Sequence, residues 1–124
     1  MGELFWRREF EAELAALPGG YDAILVARDG EEVVGCVALR PLADGACELK
    51  RLYVRPDARG SGAGRALAEA VVEEARRLGY RTMRLDTLPT MDAARALYRS
   101  LGFVPAERYS DNPIPGVLFF ALDL

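Results

Sequence analysis

The most informative part of this sequence is the glycine-rich stretch Arg59-Gly60-Ser61-Gly62-Ala63-Gly64-Arg65. The residues before it, ending Leu52-Tyr53-Val54, are typical of a strand, and the amphipathic run Ala66 to Leu78 after it is typical of a helix. Three glycines within five residues leave backbone N–H groups without side-chain cover at the positive end of the helix dipole. Such a turn favours anions, and phosphate is the usual one.

Three kinds of phosphate loop compete for this pattern. A P-loop closes with Lys followed by Ser or Thr, whereas Gly64 is followed by Arg65-Ala66. A dinucleotide fingerprint places G-x-G-x-x-G early in a βαβ unit, whereas here the third glycine comes one residue too soon and about fifty residues precede the turn. The third kind of loop has the pattern Arg59-x-x-Gly62-x-Gly64 after Leu52-Tyr53-Val54-x-Pro56, and the sequence matches this pattern. The structural alternative is a glycine turn that only lets a helix pack closely on a strand.

The third pattern resembles the pyrophosphate loop of the GNAT family of N-acetyltransferases, which binds coenzyme A. A second segment, Ala94-x-x-Leu97-Tyr98-x-x-x-Gly102-Phe103, resembles the family's tyrosine-bearing helix that ends in Gly-Phe. Thr90 is expected at the N-cap of this helix and Gly102 just past its C-terminus. Apolar residues recur there at helical spacing: Ala93, Ala94, Leu97 and Leu101. The resemblance covers roughly Ala23 to Leu124.

The elements follow the order β-β-β-α-β-α-β-β after an N-terminal helix over Glu3 to Leu17. We expect strands at Ala23 to Ala27, Glu32 to Arg40, Cys47 to Val54, Thr82 to Thr87, from Phe103, and at Val117 to Leu122, and helices at Gly62 to Leu78 and Met91 to Leu101. This order predicts a mixed α/β (α+β) fold with a mostly antiparallel sheet flanked by helices. The resemblance implies the GNAT-like acyl-CoA N-acyltransferase fold with a shortened N-terminal region.

Length and composition bound the class of protein. A chain of 124 residues predicts one domain over residues 1–124. No apolar run approaches the roughly 20 residues that span a bilayer, and no signal-peptide pattern opens the chain, so we expect a cytoplasmic protein without a membrane partner. A net charge of −3 without a basic tail argues against nucleic acid. The lack of histidine and of a C-x-x-C pair argues against a metal site, and Cys36 and Cys47 are expected as reduced, core or near-core residues.

The resemblance implies acetyl-CoA as cosubstrate. Backbone N–H groups from Gly60 to Arg65 would hold the diphosphate, and a strand that splays after Leu52-Tyr53-Val54 would leave amides free for pantetheine, with an N–H near Leu52 polarising the thioester carbonyl. The excess of basic residues between Lys50 and Asp86, nine against five acidic ones, suits an anionic cofactor. The expected cofactor-binding residues are Leu52, Tyr53, Val54, Arg59, Gly60, Ser61, Gly62, Ala63, Gly64 and Arg65.

Two residues are candidates for proton transfer. Glu48 stands six residues before Val54, as the catalytic glutamate does in histone-acetylating members, and would take the amine proton. In an unbroken strand it shares a face with Lys50, Leu52 and Val54, and its alternative role is an ion pair with Lys50 or Arg51. Tyr98 matches the tyrosine that protonates the departing thiolate, and its alternative role is to fill space beneath the loop.

The activity implied is transfer of an acetyl group from acetyl-CoA to a primary amine, directly in a ternary complex. The acceptor classes left open are a small molecule, an amino acid and a protein N-terminus. One alternative is a non-catalytic acyl-CoA-binding or regulatory module, which is supported by the shortened N-terminal region and by Met91, where many family members have an asparagine. Another alternative is a nucleotide-binding protein that uses the same loop. Candidates for acceptor contacts are Asp86, Thr87, Tyr109, Asp111 and Asn112. Phe5, Trp6 and Phe10 on a short helix predict a homodimer.

Overall fold

The computed structural model of the chain describes residues 11–13 and 20–124. Over these residues the chain forms seven strands and two α-helices, with a 3-10 turn at Pro56–Ala58. In chain order they are β1 (Glu11–Glu13), β2 (Ala23–Asp29), β3 (Glu32–Pro41), β4 (Ala46–Val54), α1 (Ala63–Arg77), β5 (Thr82–Thr87), α2 (Asp92–Ser100), β6 (Val104–Pro105) and β7 (Leu118–Asp123).

Every strand and helix predicted from residue 23 onward is present, with bounds that agree within two residues. The prediction of a helix over residues 3–17 is wrong at Glu11–Glu13, where the backbone pairs antiparallel with residues 24–26 of β2. Pairing with a neighbouring strand overrides a ragged helical spacing, because local propensity is a weak determinant of structure. The rest of that predicted helix, including Phe5, Trp6 and Phe10, lies outside the described residues.

The strands form one mixed sheet in the order β1-β2-β3-β4-β5-β7-β6. All neighbours are antiparallel except β4 and β5, whose parallel pairing covers only residues 46–48 and 82–84. Beyond Glu48 the two strands no longer pair with each other. The resemblance implied a splay after Leu52-Tyr53-Val54, whereas the pairing of β4 with β5 already ends at Glu48, six residues before Val54. A wedge-shaped gap, bounded by residues 49–54 of β4 and 85–87 of β5, therefore opens in the middle of the sheet.

A β-bulge interrupts β4 just before the segment that borders this gap. The register passes from Ala38 opposite Lys50 to Cys36 opposite Tyr53, so β4 carries one extra residue. Arg51 absorbs it with a φ of 56°, in the left-handed region. Because side chains alternate with period two, the extra residue reverses the faces beyond it. Leu52 and Val54 consequently pack against the apolar core, whereas Glu48 lies on the opposite face, which corrects the prediction for an unbroken strand.

The apolar core lies between one face of the sheet and the two helices. Helix α1 buries its apolar stripe there, and Tyr98 of α2 belongs to the same cluster. Cys47 is part of this core and Cys36 is half-buried, as predicted for near-core thiols. Neither helix in the described part of the chain is long and apolar enough to cross a membrane.

Glycine ends α2 as the sequence predicts. Gly102 has a φ of 101°, and the N–H groups of Gly102 and Phe103 donate to the carbonyls of Arg99 and Tyr98, each at 3.0 Å. The N-terminus differs from the prediction, because Met91 rather than Thr90 is the N-cap residue and no side chain caps the helix. Met91 is 49% exposed and lies at the entrance of a cleft beside β4.

Gly35 marks the tightest approach between β3, β4 and α1, and Gly35→Ala is expected to lower the free energy of unfolding by about 1–3 kcal/mol. An added Cβ would stand 2.9 Å from the Tyr53 carbonyl oxygen and 2.9 Å from Leu67 Cδ1, and backbone cannot yield cheaply. Urea unfolding measures the effect. Gly64→Ala is the matched control, since its Cβ would meet Val54 Cγ2 at an ordinary 3.6 Å. Equal midpoints for the two variants would contradict this reading of Gly35.

Candidate functional site

The glycine loop presents a row of backbone donors at the start of α1. Gly60 and Gly62 have φ values of 82° and 94°, and a Cβ at either position would meet nothing within 4 Å. The amides of Arg59 and Ser61 donate to carbonyls within the 3-10 turn. Within the described residues no acceptor is found for the amides of Gly60, Gly62, Ala63, Gly64 and Arg65. Unpaired amides at a helix N-terminus are the arrangement that binds phosphate.

Two arginines flank these amides, and each is held in place. The Nε of Arg59 donates to the Val54 carbonyl at 2.9 Å, and its guanidinium lies 5.6 Å from the centre of the Tyr53 ring. The Nη1 of Arg65 donates to Ser100 Oγ at 2.6 Å, which joins the first turn of α1 to the last turn of α2. Their positive charges therefore border the loop without occupying its amides.

A cleft of about 560 Å³ runs from the loop along the edge of β4 to the start of α2. It is lined by Leu52, Tyr53, Val54, Arg59, Gly64, Thr90, Met91, Asp92, Ala93, Ala94 and Leu97. Five of the predicted cofactor-binding positions and helix α2 thus border one continuous space. Three of the four apolar residues that the sequence assigned to a packing stripe, Ala93, Ala94 and Leu97, line this cleft, whereas Leu101 does not.

Backbone groups of β4 face this cleft because β5 has diverged. The N–H of Arg55 donates to the Val34 carbonyl at 2.8 Å, so Arg55 bonds toward β3. Backbone groups alternate between the two edges of a strand, so Tyr53 also bonds toward β3 while Leu52 and Val54 face the gap. The bond from Arg59 to the Val54 carbonyl agrees with this direction. Leu52 therefore offers a backbone donor inside the gap.

Glu48 stands at the apex of the gap, on the face of the sheet opposite the helices, and is 1% exposed. The Nη2 of Arg40 donates to Oε1 at 2.8 Å, and the Tyr109 hydroxyl donates to Oε2 at 2.5 Å. The Nζ of Lys50 lies 3.5 Å from Oε2. The alternative ion pair with Lys50 is therefore present, whereas Arg51 donates instead to the Tyr21 hydroxyl at 2.5 Å. A buried carboxylate with donors on both oxygens is held in one orientation.

Asp86 extends this network across the gap from β5. Its Oδ2 lies 3.7 Å from Lys50 Nζ and accepts a hydrogen bond from Asn112 Nδ2 at 3.2 Å. Burial, the hydrogen bond to Glu48 and the charges of Glu48 and Asp86 raise the pKa of the Tyr109 hydroxyl, so it stays a hydrogen-bond donor. The loop before β7 thus contributes Tyr109 and Asn112 to one polar cluster, which we call the Glu48 cluster: Arg40, Glu48, Lys50, Asp86, Tyr109 and Asn112.

Tyr98 is the buried residue of α2, at 6% exposure. Its ring packs edge-on against Phe103 with centroids 5.7 Å apart. Burial and the nearby charge of Asp86 raise its pKa to about 12, so the hydroxyl remains protonated at neutral pH. The charge of Asp86, a member of the Glu48 cluster, therefore also acts on Tyr98.

A second cavity of about 390 Å³ lies on the face that carries Glu48, with Ala46, Arg84 and Tyr109 among its lining residues. Tyr109 lines this cavity, and its hydroxyl donates to the Glu48 carboxylate. The large cleft is thus lined by Leu52 and Val54 at the gap, whereas the smaller cavity is connected to Glu48 through Tyr109.

Sequence reasoning missed Arg40 and the bond between Tyr109 and Glu48. The signal for Arg40 was present, because a hairpin turn near Asp44-Gly45 places Arg40 opposite Glu48, as the register confirms. Tyr109 was predicted as an acceptor contact, but no signal linked it to Glu48, which is 61 residues away in the chain.

With the glycine loop, the divergent strands and the cleft described, the comparison with known proteins is informative. A sequence model described as the Acetyltransferase (GNAT) family matches residues 3–103. The chain belongs to the GNAT family. The resemblance predicted from the two sequence motifs is therefore confirmed.

Relatives and solved structures agree with this assignment. An uncharacterized N-acetyltransferase of Schizosaccharomyces pombe is 46% identical over 103 residues, which are 82% of this chain and 63% of that protein. An IAA acetyltransferase of Azospirillum brasilense is 39% identical over 94 residues, which are 73% of this chain and 61% of that protein. The chain thus spans less than two thirds of the length of these two relatives.

The fold itself matches that of a GNAT family acetyltransferase from Elizabethkingia anophelis solved with acetyl-CoA bound. The TM-score is 0.78 over 93% of this chain and 97% of that one, at 17% sequence identity. The likeness at this identity concerns the fold, and it confirms the predicted GNAT-like architecture of a mixed, mostly antiparallel sheet with flanking helices.

Proposed function

We propose that this chain is an N-acetyltransferase that moves an acetyl group from acetyl-CoA to a primary amine by direct transfer in a ternary complex. The observation that supports this most is the continuity of three features. Unpaired loop amides suit a diphosphate, the cleft suits a long flexible arm, and the Leu52 edge of β4 offers a donor inside the gap. Acetyl-CoA carries its diphosphate, its pantetheine arm and its thioester in the same order, and acyl transfer requires the thioester to be held beside a donor.

In this proposal the loop from Gly60 to Arg65 binds the diphosphate through backbone N–H groups, and Arg59 and Arg65 add positive charge. Leu52, Tyr53 and Val54 border the pantetheine arm, and the N–H of Leu52 polarises the thioester carbonyl. Met91 replaces the amide that many family members place at this position, and its thioether packs against an alkyl chain rather than donating a hydrogen bond.

Two side chains then manage the protons. Glu48 accepts the proton of the acceptor amine through a water molecule, and Tyr98 donates a hydrogen bond to the thiolate as the carbon–sulfur bond breaks. Tyr98 belongs to the core on the helix side of the sheet and Glu48 lies on the opposite face, so the proposal assigns each to a different partner of the reaction. The acceptor amine is expected beside the Glu48 cluster, near the carboxylate that would take its proton.

A non-catalytic acyl-CoA-binding module is the second candidate. The observation that favours it is that both oxygens of Glu48 already accept hydrogen bonds from Arg40 and Tyr109, which leaves the carboxylate fewer lone pairs for an amine proton. Both candidates predict coenzyme A binding, and they differ in whether an amine then becomes acetylated.

A thiol-release assay with acetyl-CoA and a panel of amines separates the two candidates. The panel contains amino acids, small amines and peptides with free N-termini, and mass spectrometry identifies the acetylated product. The proposal expects coenzyme A release that depends on at least one amine. Cofactor binding without any amine-dependent release would favour the module. A thermal shift produced by ATP or NAD but not by acetyl-CoA would contradict both.

Gly62→Ala is expected to weaken acetyl-CoA binding about tenfold, because a φ of 94° strains any L side chain by about 1–2 kcal/mol and the relaxing loop turns its amides away. Gly30→Ala is the matched control. It places a Cβ at another positive φ, 63°, in the β2–β3 turn, where the surroundings are equally open and remote from the cleft. Isothermal titration calorimetry measures both. Equal loss of affinity in the two variants would show that the loop is not the binding site.

A further inference from the structure

Lys50 is the single lysine of the sequence; the other fifteen basic residues are arginines. Its side chain is 30% exposed, and its Nζ lies 3.5 Å from Glu48 Oε2 and 3.7 Å from Asp86 Oδ2. No other primary amine belongs to a side chain of this protein. The position of that one amine is therefore informative.

The tip of Lys50 stands in the gap between β4 and β5. Glu48 belongs to β4 and Asp86 to β5, and each lies at or just beyond the last parallel pair, Glu48 with Arg84. An ammonium within 4 Å of both carboxylates must therefore bridge the diverging strands. Leu52, whose N–H faces the same gap, is only two residues further along β4, just past the bulge at Arg51.

Lys50 thus occupies the place that an acceptor amine needs. It is a primary amine beside the carboxylate that we assign as base and within reach of the donor that we assign to the thioester carbonyl. An arginine at this position would satisfy the same two carboxylates without offering a nucleophile, because its guanidinium stays charged. A tethered nucleophile beside a reactive carbonyl reacts as if highly concentrated.

We propose that Lys50 is a self-acetylation site, modified by acetyl-CoA bound in the same subunit. This inference rests on the proposed acetyltransferase function and adds an internal substrate to it. Glu48 takes a proton from the Lys50 ammonium, and the freed Nζ lone pair attacks the thioester carbonyl carbon. A carbon–nitrogen bond forms and the carbon–sulfur bond breaks. The nitrogen then loses a second proton and the leaving thiolate takes one up, so the products are N-acetyl-Lys50, free coenzyme A and one proton released to solvent.

Acetylation of Lys50 would also alter the site that performs it. The acetamide is neutral, so Glu48 and Asp86 would lose the cation that stands between them. The modified protein would then hold an acyl group in the gap where the acceptor must enter. We therefore expect turnover with an external amine to fall about tenfold as Lys50 becomes acetylated.

The experiment incubates the full chain with acetyl-CoA and no acceptor, and monitors intact mass and peptide maps. The expected result is one added acetyl group at Lys50 at a rate independent of protein concentration, with one equivalent of coenzyme A released. Lys50→Arg keeps a cation between the carboxylates, and is expected to stay unlabelled and to show no progressive loss of turnover during preincubation. Heat-denatured chain is expected to label at least about tenfold more slowly.

Several results would overturn the inference. They are labelling confined to the α-amino group of Met1, equal labelling of the denatured chain, and a labelling rate that rises with protein concentration. If amines of the panel are acetylated while Lys50 stays unmodified, self-acetylation fails and the proposed function stands. If acetyl-CoA binds but neither Lys50 nor any amine of the panel is acetylated, the proposed function fails as well.

Discussion

Replacing Tyr98 by phenylalanine is expected to lower kcat about 10²-fold while the Kd for coenzyme A changes by less than about twofold. The pKa of this hydroxyl is raised to about 12, first by burial and then by the charge of Asp86. An acid this weak gives its proton to a thiolate of ordinary pKa, about 8.5, only uphill. We therefore expect Tyr98 to act chiefly as a hydrogen-bond donor to the departing sulfur, and a bond to a charged acceptor contributes about 1.5–3 kcal/mol.

The pH dependence and a remote control test this assignment of Tyr98. A hydroxyl that stays protonated to about pH 12 produces no fall in kcat between pH 8 and 10, so that limb of the profile should be the same in wild type and variant. Tyr80→Phe removes a hydroxyl that bonds to Asp22, away from the cleft, and is expected to leave turnover unchanged. If Tyr98→Phe retained turnover within about a factor of two, a role in the chemical step would be untenable.

The sequence predicts well the strands and helices whose apolar residues recur at a regular local spacing. Alternating apolar residues located β2 to β5 and β7, and helical spacing located α1 and α2. The glycines that end the helices were also predictable, because only glycine adopts φ near 100° without strain. Each of these signals lies within a few residues of the structure it specifies.

The parts that failed depend on partners distant in the chain. Glu11–Glu13 form a strand because β2 offers an edge, and nothing local distinguishes this from a helix. The bulge at Arg51 was also invisible, since Arg is not a residue that favours a φ of 56°. That single extra residue moves Leu52 and Val54 to the face opposite Glu48, so an argument from even spacing fails at the centre of the site.

The candidate site also has one part that local sequence predicts and one part that depends on distant residues. The glycine loop was predictable because its function resides in backbone donors that a short motif specifies. The Glu48 cluster was not, because it joins β3, β4, β5 and the loop before β7 through side chains up to 61 residues apart. Spacing alone left a base and an ion pair with Lys50 as separate alternatives for Glu48, and the structure places Lys50 beside Glu48 and Asp86 at once.

Glu48→Gln is expected to lower kcat/KM about 10²-fold at pH 7, with a loss that shrinks steadily as the pH rises toward 10. The reason is that a base is needed only while the acceptor amine is charged. An alkylamine with a pKa of about 10.4 supplies about ten times more neutral amine for each unit by which the pH rises below that value. Rates measured from pH 6.5 to 10 with one amine of the panel, at saturating acetyl-CoA, give the profile for both proteins.

Tyr109→Phe distinguishes a base from an anchor in this experiment. It removes the donor at 2.5 Å from Oε2 but keeps the Glu48 charge and its bond to Arg40. If Glu48 acts as the base, Tyr109→Phe is expected to lower kcat/KM by only a few-fold, which is about the contribution of one hydrogen bond. The shape of the pH profile is expected to stay the same. If instead Glu48 only holds Arg40 and Tyr109 in position, Glu48→Gln would lose the same factor at pH 7 and pH 10. High pH compensates for a missing proton acceptor, because the amine is then neutral, but it does not return a displaced loop to its position.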